Sequence, residues 1–150
     1  MNPWQSLMGN RCLWAAVSAW LLAQFLKVPT YAYVEKKWDW HKLIGSGGMP
    51  SSHSAGMMAL TIMVGASEGL GSVAFAICFV FSSVVMYDAA GVRRETGRQG
   101  RALNEIISNV LVEGAPITDE VLKELVGHTP MEVFFGALTG ALVALIWLNI

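Results

Sequence analysis

A glycine-rich loop that leads into a helix start carries the first residues able to do chemistry. Residues 47–54 are Gly-Gly-Met-Pro-Ser-Ser-His-Ser, directly before an apolar segment. Ser51 or Ser52 suits a helix N-cap, which leaves backbone N–H groups and the positive end of the helix dipole facing the loop. Gly48 belongs to this loop, and a glycine-rich approach to a helix start is a ready phosphate site. His53 in the first turn can donate a proton to a leaving oxygen; a plain helix cap is the alternative.

A second histidine precedes the start of the last apolar segment, in Gly-His-Thr-Pro-Met-Glu at residues 127–132. Thr129 as N-cap, Pro130 at the first helical position and Glu132 three residues after the cap predict a capping box. The capping box leaves His128 unexplained. A histidine four residues before a carboxylate can have one ring nitrogen held by it, so that the other nitrogen serves as a nucleophile.

The third apolar segment ends in a mixture of charges. Arg93 and Arg94 complement the dipole at a helix C-terminus, and arginine also suits bidentate contact with phosphate. Asp88 lies inside the apolar run, where a carboxylate is costly and is usually paired or functional. We therefore predict Arg93 and Arg94 as phosphate ligands, while Asp88 and Glu95 leave a metal-assisted reaction open.

Four apolar segments must position these residues, and they cover 12–28, 53–67, 72–92 and 131–150. Only 14% of the 150 residues are charged and the net charge is −1, which argues against a disordered chain and against a nucleic-acid binder that relies on basic excess. A bilayer crossing needs about 20 residues. We predict a single membrane-embedded all-α domain over residues 1–150, a helical bundle with about four transmembrane helices; a soluble helical bundle is the alternative.

The connections between these segments differ in length and character. Pro29 is expected to stop the first helix, and the short turn at residues 68–72 predicts a tight antiparallel pair. Between the third and fourth segments, apolar residues recur at helical spacing from Leu103 to Leu111, which predicts an amphipathic helix at the membrane surface or over the bundle end. Thr118 opens a further short helix, which Gly127 ends.

With four crossings, both long connections emerge on one side of the membrane. The positive-inside rule places that side in the cytoplasm, and an anion site is a second, compatible explanation. We expect an integral protein of the cell inner membrane whose site faces the cytoplasm. Nine of the ten basic residues lie on that side: Lys27, Lys36, Lys37, Lys42, Arg93, Arg94, Arg98, Arg101 and Lys123.

Three stretches, GGMPSSHSA, YDAAGVRRETGRQ and GHTPMEVFFG, occur in this order along the chain. Together they resemble the divergent branch of the type 2 phosphatidic acid phosphatase superfamily, which is related to the vanadium-dependent haloperoxidases. The resemblance covers nearly the whole chain. That superfamily's pattern is a Lys…Arg-Pro motif, then Pro-Ser-Gly-His, then Ser-Arg…His-x-x-x-Asp, and the resemblance implies hydrolysis of a lipid phosphomonoester.

The resemblance assigns roles to both histidines. Pro50 to His53 matches the second motif, with Ser52 in the glycine position, and His53 would be the general acid for the leaving alcohol. His128 would be the nucleophile that takes the phosphoryl group. Glu132 would replace the Asp that orients this histidine.

The resemblance is weakest for the groups that hold the phosphate. Arg93 or Arg94 would stand in for the third motif's arginine, displaced by an insertion. The first motif has no clean match, because no lysine is followed at the right spacing by Arg-Pro. Lys42 is nearest the loop among the four lysines that are candidates for its role: Lys27, Lys36, Lys37 and Lys42.

The sequence thus predicts a membrane lipid phosphatase that acts through a phosphohistidine intermediate, with no cofactor and no required metal. The alternative is a non-catalytic phospholipid-binding or translocating protein, which needs the cations but not a nucleophile beside an orienting carboxylate. The expected partners are a lipid phosphate and the membrane, with no nucleic acid. Gly136 and Gly140 form a Gly-x-x-x-Gly motif that permits close helix packing, through which a homodimer would complete the bundle.

Overall fold

The computed structural model describes residues 2–45, 47–91, 99, 100, 103 and 129–150. These residues form helices and connections, without a strand among them, so the prediction of an all-helical protein is confirmed. The elements are α1 (Pro3–Met8), α2 (Arg11–Glu35), a 3-10 helix (Trp40–Leu43), α3 (Ser52–Glu68), α4 (Val73–Ala90) and α5 (Pro130–Asn149).

Three of these helices, α2, α4 and α5, are long and apolar enough to cross a membrane. Their outward faces carry large apolar side chains such as Phe25, Phe79 and Leu145, which are all more than half exposed. Exposed apolar surface on this scale is unfavourable in water and suits contact with lipid tails. The chain is therefore an integral membrane protein. At 17 residues, α3 is shorter than these three.

Helix α3 is the centre of the bundle, and α2, α4 and α5 all pack on it. The backbone N–H of Ser51 donates to the carbonyl oxygen of Glu132 at 2.9 Å, so α3 and α5 begin side by side and run parallel. At the opposite end the Arg11 guanidinium, at the start of α2, donates to the carbonyl oxygen of Trp147 near the end of α5. One end of the bundle thus gathers the starts of α3 and α5 and the ends of α2 and α4.

The expectation that Pro29 stops the first helix is wrong, because α2 continues through it to Glu35. A proline inside a helix lacks an N–H and costs one backbone hydrogen bond. Prolines are tolerated inside membrane helices where neighbouring helices hold the backbone in place. The Thr30 hydroxyl oxygen lies in the same turn, 2.8 Å from the carbonyl oxygen of Leu26 and 3.1 Å from that of Lys27.

A seam of small residues joins α2, α3 and α5. A β-carbon on Gly136 would lie 2.3 Å from the carbonyl oxygen of Ser51, and one on Gly140 would lie 2.1 Å from that of Ala55. These helices therefore approach as closely as their backbones allow, which is how membrane helices gain van der Waals contact. The glycine pair that suggested a homodimer is used within the chain. The other small members of the seam, all fully buried, are Ala15, Ala19, Ala23, Ala59 and Ala144.

Helix α4 is attached differently, by the predicted tight turn after α3. Gly69 adopts a positive φ of 85° in that turn, and the Thr61 hydroxyl lies 3.3 Å from the carbonyl oxygen of Cys78 across the helix pair. Only Ser82 and Ala89 of α4 are buried. A cavity of about 640 Å³ lies between α3 and α4, so this pair is not packed to completion.

The predicted amphipathic insertion falls almost entirely outside the described residues. From the stretch between Leu103 and Leu111 only Leu103 is described, and it is exposed. The predicted helix from Thr118 to Gly127 is outside them as well.

Candidate functional site

A buried lysine lies at the end of the bundle where α3 and α5 begin. Lys27 follows Ala15, Ala19 and Ala23 at the same four-residue spacing, so it continues the buried stripe of α2 and is only 2% exposed. Its ammonium nitrogen lies 3.3 Å from the carbonyl oxygen of Gly45, to which it donates, and 3.5 Å from the hydroxyl oxygen of Ser52. Ionisable groups inside membrane helices are costly and typically functional.

The start of α3 is organised by three buried serines, the N-cap and two residues of the first turn. Ser51 is the N-cap, as one of the two predicted possibilities, and its hydroxyl oxygen accepts from the backbone N–H of Ser54 at 3.4 Å. The Ser54 hydroxyl lies 3.2 Å from the same atom. Ser52, in the first turn, is buried and extends its hydroxyl toward Lys27. The positive end of the α3 dipole and the Ser52 hydroxyl group therefore both lie next to Lys27.

The start of α5 is the predicted capping box. The backbone N–H of Thr129 donates to the Glu132 carboxylate at 2.9 Å, and the Glu132 N–H donates to the Thr129 hydroxyl oxygen at 3.3 Å. The carboxylate is thereby folded back toward the N-terminal end of α5. Since α3 and α5 are parallel neighbours, the positive ends of two helix dipoles converge at this place.

A small cavity of about 170 Å³ lies between these groups, lined in part by Lys27, Lys42, Gly48 and Glu132. Glu132 acts electrostatically on the Lys27 ammonium. The Lys42 ammonium lies 4.3 Å above the centre of the Tyr31 ring, a cation–π contact. Gly48 has a φ of +87°, which side chains other than glycine rarely adopt. The cavity is therefore lined by two ammonium groups, one carboxylate and the backbone of the glycine-containing loop before α3.

Polar side chains of α2 hold the loop over this cavity. The Gln24 amide donates to the carbonyl oxygen of Leu43 at 3.0 Å, and the Thr30 hydroxyl donates to that of Met49. With the contact from Lys27 to Gly45, side chains of α2 at three-residue steps bond three points of the same connection. The loop that carries the glycines is thus fixed by the helix that carries the lysine.

The same connection contains an exposed pair, Asp39 and His41. The His41 backbone N–H donates to the Asp39 carboxylate at 2.9 Å, and its ring nitrogen Nδ1 lies 3.0 Å from the same oxygen. These hydrogen bonds lower the pKa of Asp39, with the backbone contribution the largest. The pair caps the 3-10 helix and does not line the cavity.

His53 faces a different side of the α3 start. It lines a cavity of about 340 Å³ between α2, α3 and α4 and another of about 300 Å³ that also contacts Asp88. Ser52 lines the larger of these and also contacts Lys27. The described part of the site therefore has two sides, one with Lys27 and Glu132 and one with His53, joined through Ser52.

Four predicted residues cannot be placed, since Arg93, Arg94, Glu95 and His128 lie outside the described residues. Among the predicted ones that are described, Lys42, Gly48, Ser52 and Glu132 gather around Lys27. Ser51 lies beneath them as the cap, and Asp88 is exposed beside His53.

Sequence reasoning favoured Lys42 over Lys27 because Lys42 is closer in sequence to the loop. The structure brings both to the cavity, but only Lys27 is buried and in contact with Ser52. The alanine stripe contained the missing signal. Residues 15, 19, 23 and 27 share one face of a helix, so burial of the alanines implies burial of the lysine.

Comparison with known proteins adds a family to this geometry. A family model described as "Divergent PAP2 family" matches residues 8–143. The chain is 42% identical over 150 residues to the uncharacterized membrane protein YuiD of Bacillus subtilis (strain 168), covering 93% of this chain and 95% of that protein. No solved structure matches the chain.

Proposed function

The chain belongs to the divergent PAP2 family, and from that premise we propose that it is a membrane lipid phosphatase. The observation that carries the proposal is Lys27, a buried cation in contact with Ser52 where the starts of α3 and α5 meet. An ammonium group in this position attracts an anionic ligand, and family membership suggests that the ligand is a phosphate ester.

The cavity between Lys27, Lys42 and Gly48 would hold the phosphate. Two ammonium groups outweigh the single carboxylate of Glu132, the two converging helix starts add positive potential, and Ser52 supplies a hydroxyl. Groups that are already fixed stabilise the charge on the equatorial oxygens in the transition state at little reorganisation cost. Arg93 and Arg94 remain proposed additional ligands.

His128 is the proposed nucleophile, with Glu132 orienting its ring. Two facts support Glu132 in this role: its carboxylate is folded back toward the residues that precede Thr129, and it is held there by a hydrogen bond. Attack by a ring nitrogen of His128 forms a P–N bond while the bond from phosphorus to the leaving alcohol breaks. Water then cleaves the phosphohistidine and releases inorganic phosphate.

His53 is the proposed general acid and base. It gives its proton to the departing alcohol and takes one from the attacking water in the second step. Its position supports this division of labour, because it lies on the far side of Ser52 from the cavity that Lys27 lines. The phosphate and the leaving alcohol would then occupy the two sides of the site.

We propose four membrane crossings, with α3 as the fourth. Helix α3 is antiparallel to both α2 and α4 and connects the end of one to the start of the other. If α2 and α4 cross, the chain must return through α3. The proposed location is the cell inner membrane with the site on the cytoplasmic side, following the distribution of basic residues. Labelling of a Lys37→Cys variant, in a background without the native cysteines, by an impermeant thiol reagent in intact cells would contradict this orientation.

A binding or translocating protein is the second candidate. The capping box favours it, since capping alone accounts for the position of Glu132. Such a protein requires the cation at Lys27 and has no need of a nucleophile.

The decisive experiment measures phosphate release by the purified protein in detergent. The panel contains phosphatidate, phosphatidylglycerophosphate and a polyprenyl diphosphate, each with and without a chelator of divalent cations. The variants are His128→Ala, Lys27→Met and, as a matched control for the loss of one lysine, the exposed Lys37→Met. We expect release that survives the chelator, disappears in His128→Ala and Lys27→Met, and is retained in Lys37→Met.

Other outcomes separate the alternatives. Release that needs a divalent ion would move the chemistry toward Asp88 and Glu95. Absence of release from every substrate, in a protein that still binds these lipids through Lys27, would support the binding or translocating protein.

A further inference from the structure

An apolar groove begins where the proposed general acid lies. The cavity of about 340 Å³ has Ser52 and His53 at one end and continues along α3 past Gly56 and Leu60. The eight residue steps along the helix from Ser52 to Leu60 correspond to about 12 Å. Trp20 of α2 forms one wall. The opposite wall comes from α4, and α2 and α4 make little contact with each other across α3.

Gly56 forms part of the floor of this groove, and the packing of the protein does not require a glycine there. A β-carbon on Gly56 would lie 3.5 Å from the carbonyl oxygen of Ala16 and 3.6 Å from the β-carbon of Trp20, both ordinary contact distances. The corresponding distances at Gly136 and Gly140 are below 2.5 Å. A glycine inside a helix is unfavourable relative to alanine. Packing against α2 would therefore accept an alanine at this position, and the missing side chain leaves this part of the groove open.

We propose that this groove binds an acyl chain of the substrate and that Gly56 determines which chains fit. The inference rests on the proposed function, because the acyl chains belong to the alcohol that His53 protonates. The groove starts at His53, has apolar walls and opens toward the lipid phase between α2 and α4. A lipid with its phosphate at Lys27 would place its leaving oxygen beside Ser52 and His53 and its chain along Gly56, Met57 and Leu60.

The first test compares a substrate that has acyl chains with one that has none. Phosphate release is measured for dioleoyl phosphatidate and for glycerol 3-phosphate in the native protein, Gly56→Leu and Gly56→Ala. We expect Gly56→Leu to lower kcat/KM for dioleoyl phosphatidate about tenfold, with a change of less than about twofold for glycerol 3-phosphate, which does not reach Gly56. Gly56→Ala shifts the ratio in the same direction by less. Because alanine fits at this position, that variant stays informative if the leucine variant does not fold.

Two control variants separate the groove from its surroundings. Ser83→Leu fills the neighbouring cavity between α3 and α4, and Ala76→Leu adds the same bulk to the exposed face of α4. We expect neither to change the ratio of the two substrates. Equal losses on both substrates in Gly56→Leu and Gly56→Ala, or a shift of the ratio in Ser83→Leu alone, would overturn the proposal.

The second test does not depend on turnover, so it distinguishes failure of the groove from failure of the phosphatase proposal. A phosphatidate with a diazirine in one acyl chain is cross-linked to the native protein, and labelled peptides are mapped by mass spectrometry. We expect label on Trp20, Met57 or Leu60 that excess phosphatidate removes and excess phosphatidylcholine does not. Label on Phe79 and Met86 instead, or equal competition by both lipids, would show that bulk lipid fills the groove and would refute the inference, whether or not the protein releases phosphate.

Discussion

The two faces of α3 are built from different residues and differ in how closely they pack against the neighbouring helix. Toward α5, Ser51 and Ala55 meet Gly136 and Gly140 at backbone contact distance. Toward α4, large side chains such as Phe79 leave a cavity of about 640 Å³. Lipid tails are as apolar as leucine, so burying large side chains gives membrane helices little advantage, whereas close backbone approach gains dispersion energy.

The comparison shows which helix contact positions the residues of the candidate site. The close face of α3, where Ser51 and Ala55 contact α5, fixes the starts of α3 and α5 against each other. These starts position Ser52 and Glu132 beside Lys27. The open face of α3, which borders α4, carries His53 and the groove along Gly56. The closely packed seam thus supports the side of the site proposed to hold the phosphate, and the loosely packed side carries the proposed acyl-chain groove.

The largest loss of stability is expected from a substitution that separates α5 from the close face of α3. In Gly140→Ala the new β-carbon would overlap the carbonyl oxygen of Ala55, so α5 must move away from α3. We expect a destabilisation of about 3 kcal/mol, measured by thermal unfolding of the detergent-solubilised protein. Gly71→Ala is the matched control, since nothing lies within 4 Å of its added β-carbon. Equal melting temperatures for the two variants would contradict the assigned packing.

Replacing the cation that the seam surrounds should affect activity more than stability. Lys27→Met keeps an unbranched side chain and removes the charge, and we expect phosphate release to fall about 100-fold. Its melting temperature should fall only slightly, because the hydrogen bond to Gly45 is lost but no unpaired cation is left buried. Activity similar to that of Lys37→Met would remove Lys27 from the site.

The role of Glu132 as a cap can be separated from its proposed role in orienting His128. Glutamine also supports a capping box, so Glu132→Gln should change stability by less than about 0.5 kcal/mol and still lower phosphate release about tenfold. Thr129→Ala should show the opposite pattern, with a stability loss of about 1 kcal/mol and a smaller loss of activity. If the glutamine variant is fully active, the carboxylate serves only as a cap.

The smallest effect is expected on the open face. Phe79 is 57% exposed, so Phe79→Leu removes little buried contact. We expect a stability change below about 1 kcal/mol and unchanged phosphate release, both measured in the assays already described. A loss comparable to that of Gly140→Ala would mean that the two faces of α3 do not differ in the way their packing indicates.

Much of this arrangement could be predicted from local sequence signals. The caps at Ser51 and Thr129 follow from residue types at fixed offsets, and the tight turn after α3 follows from its glycines. These features depend on a few neighbouring residues, so no knowledge of the tertiary structure was required.

Features that depend on tertiary packing were harder to predict. Pro29 was predicted to end the first helix because proline is unfavourable inside a helix. The packing of other helices around α2 outweighs that local preference. Gly136 and Gly140 identified a close contact without identifying the partner helix, which proved to be α3. The prediction ranked Lys27 by its distance in sequence from the loop. Its burial is instead determined by the helix face that it shares with the buried alanines of α2.

The helices of the two faces also differ in length, and a bilayer responds to length. Helices α3 and α4 have 17 and 18 residues, or about 26 and 27 Å, while α5 has 20 residues and reaches about 30 Å. A bilayer matched to α5 is about 3 Å thicker than α4 is long, a difference that local thinning or helix tilt takes up at modest cost. Where the bilayer thins beside the start of α3, the lipid headgroups lie closer to the exposed His53, and a phosphate would have a shorter path to the proposed site at Lys27.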